Sequence, residues 1–179
     1  MNVYATEKTG HTEMEAGEMN YQIILENFKD NEKKCEYSDI IWKDSLEEIE
    51  KKFGDKVVEC NKMERNFLGN EYRYLKHTEI HELDGQKAEM YFEFLNDELQ
   101  AVRYDFSLEG DYETWFQKQI KTLVDLYGDD YILKEMENEE LALQDTFYKW
   151  EYKDNSVCAF LITGDTIDPM ATIGITMSE

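Results

Sequence analysis

Proline occurs once in this 179-residue chain, and cysteine three times with no Cys-x-x-Cys pair. The scarcity of proline argues against a linker or a low-complexity chain. Cys35, Cys60 and Cys158 are odd in number and far apart, so they cannot close completely into disulfides, and they read as small buried hydrophobes. Basic side chains are also scarce: 19 Lys and Arg stand against 41 Asp and Glu, a formal net charge of −22. A chain this acidic is repelled by phosphate backbones and anionic lipid surfaces, so no nucleic-acid partner is expected. No apolar run approaches the roughly 18 residues that a membrane helix requires, so no transmembrane segment is expected. There is no Gly-x-Gly-x-x-Gly, no phosphate-binding Gly-Lys loop, no Gly-x-Ser-x-Gly elbow and no calcium-loop spacing. Without them no cofactor and no catalytic role is expected. The acidic clusters Asp129-Asp130, Glu137 with Glu139-Glu140, and Glu109 with Asp111 read as solvated surface.

What is present is aromatic: twelve Tyr, nine Phe and three Trp, enough for a folded core despite the charge. Residues 1–19 lack apolar periodicity and read as a disordered leader. Within it Val3-Tyr4-Ala5 has the small-residue ending of a secretory cleavage site, so an extracytoplasmic location is expected ahead of a cytoplasmic one. Tyr21, Ile24, Leu25 and Phe28 fall at i, i+3, i+4 and i+7, the stripe of a short helix. A second helix is better specified. Ser45 and Glu48 make a capping box, Leu46, Ile49 and Phe53 form the buried stripe, and Gly54 takes the C-cap.

From Lys56 the period becomes two. Strands are expected over Val57 to Cys60, Glu71 to Leu83, Gln86 to Leu95 and Leu99 to Phe106, with Asp84-Gly85 as a type I′ turn. The same order then recurs. Asp111 caps a helix carrying Tyr112, Trp115, Phe116, Ile120, Leu123 and Tyr127, which stops at Gly128. Strands Tyr131 to Met136, Thr146 to Lys153, Ser156 to Thr163 and Met170 to Met177 follow, with Asp154-Asn155 at the hairpin. The expected fold is α+β: two tandem α-β-β-β-β units over residues 20–110 and 111–179, forming an antiparallel sheet with helices on one face and an open aromatic face.

Aligning the hairpins on their turns superposes Ala88 on Cys158, Met90 on Phe160 and Phe92 on Ile162, all apolar. With Leu75 and Phe94 they define the expected core face. The opposite face then carries Tyr72, Tyr74, Ile80 and Tyr91 from the first unit, and Tyr148, Trp150, Tyr152 and Leu161 from the second. Lys76 across from Glu93 and Glu82 across from Lys87 supply the ion pairs of a wet face.

A helix ending in Phe-Gly or Tyr-Gly followed by a four-stranded meander, given twice, resembles the tandem folds of β-lactamase-inhibitor-protein-like domains. The segment Ile41-Trp42-Lys43-Asp44-Ser45-Leu46-Glu47-Glu48-Ile49 through Phe53-Gly54 is similar to the opening of such units in small bacterial surface lipoproteins, and the likeness covers residues 40 to 177. The resemblance implies an eight-stranded sheet with helices on one side and an aromatic-rich side that grips partner proteins.

Tyr72, Tyr74, Tyr91, Tyr148, Trp150 and Tyr152 are therefore the expected contact residues of a non-catalytic module that binds another protein, a basic one by charge. Self-association, or covering by the chain's own N-terminal segment, are the other fates open to such rings. The alternative function is that of a metal-binding protein or metal-dependent enzyme centred on His77 and His81. Strand alternation puts His77, Glu79 and His81 on one face, three donors with room for an open position.

Overall fold

The structure, a computed structural model, describes residues 21–23, 25, 30–31, 34–35, 41–65, 69–139, 141–153 and 155–177; the expected leader 1–19 lies outside them. The first half of the chain contributes β1 (Tyr21–Gln22), β2 (Asp30–Asn31), β3 (Lys34–Cys35), α1 (Leu46–Phe53), β4 (Val57–Arg65), β5 (Glu71–His77), β6 (His81–Leu83), β7 (Gln86–Leu95) and β8 (Glu98–Ser107). The second contributes α2 (Tyr112–Tyr127), β9 (Ile132–Asn138), β10 (Leu143–Glu151), β11 (Asn155–Gly164) and β12 (Met170–Met177). The fold is α+β, a mostly antiparallel sheet with two helices.

Among the described residues ten strands form one sheet, in the order β1-β6-β7-β8-β12-β11-β10-β9, with β5 also pairing β7 and β4 pairing β5. Every ladder in it is antiparallel except β1 with β6. The pair β8–β12 is the ladder that joins the two halves of the chain.

Local chemistry explains the helix ends. Ser45 Oγ accepts from the Glu48 N–H at 3.3 Å while Glu48 accepts from the Ser45 N–H at 2.8 Å, closing the capping box, and Gly54 follows with φ of 61°. That bond to the backbone of Ser45 holds the Glu48 carboxyl below its ordinary range. Asp111 accepts from the Thr114 N–H at 3.2 Å to start α2.

Both helices cover one face. The Phe53 ring of α1 lies 5.0 Å from that of Phe92, and Trp115 of α2 lies 4.9 Å from Phe106. Trp115 Nε1 also donates to the Leu83 carbonyl at 3.0 Å, and Gln119 to Asp84 at 2.8 Å, so α2 is pinned to the first hairpin as well as to its own strands. Beneath them Leu75, Ala88, Met90, Phe92, Phe94, Val102, Tyr104, Ala171, Ile173 and Ile175 are buried.

The α-helix expected from Tyr21 is replaced by a strand at Tyr21–Gln22, and Leu25 lies in a 3-10 turn. Tyr21 pairs with His81 in a parallel ladder, and Ile23 N–H donates to the Glu82 carbonyl at 2.8 Å; Ile24 and Phe28 lie outside the described residues. A short isolated helix is a weak competitor for an open sheet edge that offers a hydrogen-bonded ladder and burial of Ile23 and Leu25.

The register expected for the second hairpin is also overturned. Glu151 pairs with Ser156, and the Tyr152 N–H donates to the Asn155 carbonyl, so the turn falls between those two residues, one position earlier than Asp154-Asn155. A one-residue slip inverts every side chain. Val157 and Ala159, not Cys158, Phe160 and Ile162, face the helices, and Tyr148 and Trp150 face them too. The first hairpin keeps its expected parity because its turn is Asp84-Gly85, with φ of 49° and 82° as a type I′ turn demands.

Candidate interaction surface

The sheet face opposite α1 and α2 is built by pairing. Tyr72 opposes Leu95, Tyr74 opposes Glu93, and Lys76 opposes Tyr91, so these side chains of β5 and β7 share that face. Lys76 therefore meets Tyr91 where Glu93 was expected, and its ion pair is with Glu89; Glu82 does oppose Lys87. Arg103 of β8 lies over the Tyr91 ring at 5.4 Å and the Tyr74 ring at 5.8 Å, and it ion-pairs with Glu93 and Asp105. Tyr91 donates to Glu89 at 2.6 Å. Burial and that bond push the Tyr91 phenol well above its ordinary value, while Lys76 and Tyr91 hold Glu89 below its own. Tyr74 and Tyr91, both half-buried, are thus set among ion pairs, with Tyr72 further along the same face.

The other three expected contact residues are elsewhere. Tyr148 and Trp150 are buried on the helix side, with the Phe116 ring 6.2 Å from Tyr148 and the Tyr131 ring 5.5 Å from Trp150. Trp150 Nε1 donates to the Gly128 carbonyl at 2.8 Å, so its one polar atom is satisfied at the end of α2. Tyr152 is exposed beside Tyr127, 6.2 Å between rings. A signal for this was present in Lys149-Trp150-Glu151: alternation places the two charged neighbours together, and their 2.7 Å ion pair sits on the wet face, leaving the tryptophan inward.

In the second half the helix-free side carries aliphatic and phenyl groups among polar ones. Met136, Asp145, Ile162 and Met170 form one row across β9, β10, β11 and β12, and Lys134, Phe147, Phe160 and Thr172 form the next. Met136 and Met170 are 54% and 46% exposed, and the Phe147 and Phe160 rings meet edge-on at 6.2 Å. Asp145 Oδ1, inside the first row, is shielded from solvent and has no hydrogen-bond partner among the described residues. Cys158 lies on the same side, its thiol pushed up to about 11 by burial, which makes it a poor nucleophile.

The histidine constellation comes together in part. The strand expected to run unbroken from Glu71 to Leu83 bends at Thr78, whose N–H donates to the Lys56 carbonyl at 2.8 Å, so simple alternation fails across the bend. His77 and His81 still meet, Nδ1 to Nε2 at 3.3 Å, but Glu79 contributes its backbone N–H to His77 Nδ1 at 3.3 Å. Their surroundings are the rings of Phe53 and Tyr104, and no group of three or more metal-ligating side chains occurs among the described residues. Two imidazoles are fewer than the three or four protein donors that a zinc site uses.

Comparison with protein-family models, curated proteins and solved structures finds no match to this chain.

Proposed function

We propose that the chain is a non-catalytic protein-binding module, assembled from two tandem α-β-β-β-β units, whose helix-free sheet face receives a basic polypeptide. The observation that carries this reading is the apolar row Met136, Ile162 and Met170 with Asp145 set in it. Exposed methionines bordering half-buried phenylalanines are the adaptable surface that protein partners use. A shielded carboxylate oxygen without a donor costs free energy when left unpaired, and a lysine or arginine from the partner supplies that donor. Tyr72, Tyr74 and Tyr91 continue the surface as its rim, and the net charge of −22 speeds encounter with a basic protein. An extracytoplasmic location belongs to the same proposal through the resemblance to surface lipoprotein domains.

The test is recovery of partners from source-cell fractions by wild type, by Met170→Lys/Asp145→Lys on the face, and by Glu50→Lys on exposed α1, after confirming equal melting temperatures. A partner retained by wild type and Glu50→Lys but lost by the face variant supports the reading. Equal recovery by all three overturns it.

A further inference from the structure

At the end of the sheet farthest from β1, β9 has one ladder among the described residues, with β10, so one row of its backbone N–H and C=O groups faces outward. All seven of its residues are exposed. On the opposite flank β1 is added to β6, and the outermost strand β4, which also has one ladder among the described residues, is interrupted by a bulge between Cys60 and Glu64. Pairing with β10 also fixes the faces of β9. Leu133, Glu135 and Glu137 oppose Tyr148, Thr146 and Gln144 on the helix side, whereas Ile132, Lys134 and Met136 oppose Lys149, Phe147 and Asp145 on the other.

A second copy is a poor occupant of this edge. A continuous antiparallel sheet made by two copies has its twofold axis perpendicular to the sheet, which keeps each side chain on its own face and sets the axial residue against itself. With the axis at Lys134, lysine meets lysine; at Glu135, glutamate meets glutamate; at Met136, Glu135 meets Glu137. Each of these central registers sets like charges together, and each copy brings a net charge of −22.

We propose that the free edge of β9 takes up an extended basic segment of another protein as an added strand, with lysine or arginine alternating with apolar residues. The basic row lies over Glu135 and Glu137, and the apolar row lies over Ile132 and Met136 and along the stem of Lys134. This edge shares Met136 with the sheet face proposed above but binds through its backbone and through Glu135 and Glu137 on the other side. Main-chain hydrogen bonds hold the added strand, and the alternation selects its sequence.

The probe is the peptide acetyl-Lys-Val-Lys-Val-Lys-Val-Lys-amide, titrated into the full chain and followed by backbone NMR shifts and hydrogen exchange. The expected result is saturable binding with slowed exchange of β9 amides. N-methylation of one alternate set of peptide amides abolishes binding, and methylation of the other set leaves it intact. A block peptide of the same composition, four lysines then three valines, binds at least tenfold more weakly. Glu135→Lys/Glu137→Lys lowers affinity at least tenfold, while Glu47→Lys/Glu50→Lys, exposed on α1 and away from β9, leaves it unchanged. Equal binding by the block and both methylated peptides reduces the effect to charge attraction and overturns the proposal. So does absence of any shift on β9, or protection of β9 amides that rises with protein concentration alone. Failure here leaves the face variants of the previous test unaffected, and the reverse holds.

Discussion

His81 Nε2 lies 3.3 Å from His77 Nδ1, and both rings are buried beneath Phe53 and against Tyr104. His77 Nδ1 accepts from Glu79 and faces the other imidazole, so a proton added there sets donors against donors. Burial drives both pKa values below 6.5, that of His81 to about 4, with the neighbouring His77 adding to the effect on His81; Glu79 opposes it for both, and Lys56 reinforces it for His77. Because the folded values are depressed, the stability from the neutral pair is present above pH 6.5 and is lost as pH falls through about 4. For His81 alone this is on the order of 3 kcal/mol. Urea unfolding between pH 7 and 4 should show the loss, and His81→Phe should flatten the profile in that window. An unchanged slope in the variant would mean that carboxylates dominate it.

Trp150→Ala should cost about 3–5 kcal/mol, because the ring is 1% exposed and its Nε1 bond to Gly128 is lost with it. Phe160→Ala, on the half-exposed side of the neighbouring strand, should cost roughly 1 kcal/mol. Denaturant midpoints of the two variants test directly which face lies under the helices; a larger cost at Phe160 than at Trp150 contradicts the burial of Trp150.

Gly174 is a third point of test. A Cβ there would sit 2.7 Å from the Val102 carbonyl oxygen and 2.8 Å from the Arg103 Cβ, in the middle of β12. Gly174→Ala should therefore destabilise by roughly 1–3 kcal/mol through overpacking against backbone that cannot yield. The same side chain crowds the Arg103 guanidinium away from Tyr91, and losing a neighbouring cation should push the already raised Tyr91 phenol pKa further up. Calorimetry and a spectrophotometric tyrosine titration read the two effects separately.

Ser45→Ala removes the side-chain half of the α1 capping box and should cost about 1 kcal/mol. Ser45→Asp restores the acceptor and should recover most of it, which separates loss of the cap from a general surface effect.

Much of the fold was legible where one residue carries a local geometric demand. Ser45 with Glu48, Asp84-Gly85, and Asp111 with Gly128 mark element ends that coincide with the structure, and β7 and β12 run over the expected residues. The second hairpin was not legible from its turn residues, because Asp154-Asn155 is an acceptable turn and the burial of Trp150 decides the register instead. That single slip moved Tyr148 and Trp150 off the expected surface and brought Phe160 and Ile162 onto it. The bend at Thr78 was hidden for a different reason: it is set by the Lys56 carbonyl, a long-range partner. The β1–β6 pairing is equally non-local, so a helical stripe in the residues around Tyr21 was no guide to it.

The ladder between β8 and β12 has a kinetic consequence. Residues 101–107 must wait for residues 170–176, with α2 and three strands between them, before the sheet becomes continuous. Closing so long an intervening segment makes this a late event in folding, after the local hairpins have formed. Until then β8 and β12 each present one unpaired edge. At high concentration the β8 of one molecule can accept the β12 of another with the same hydrogen bonds, an exchanged dimer that refolding by dilution should suppress.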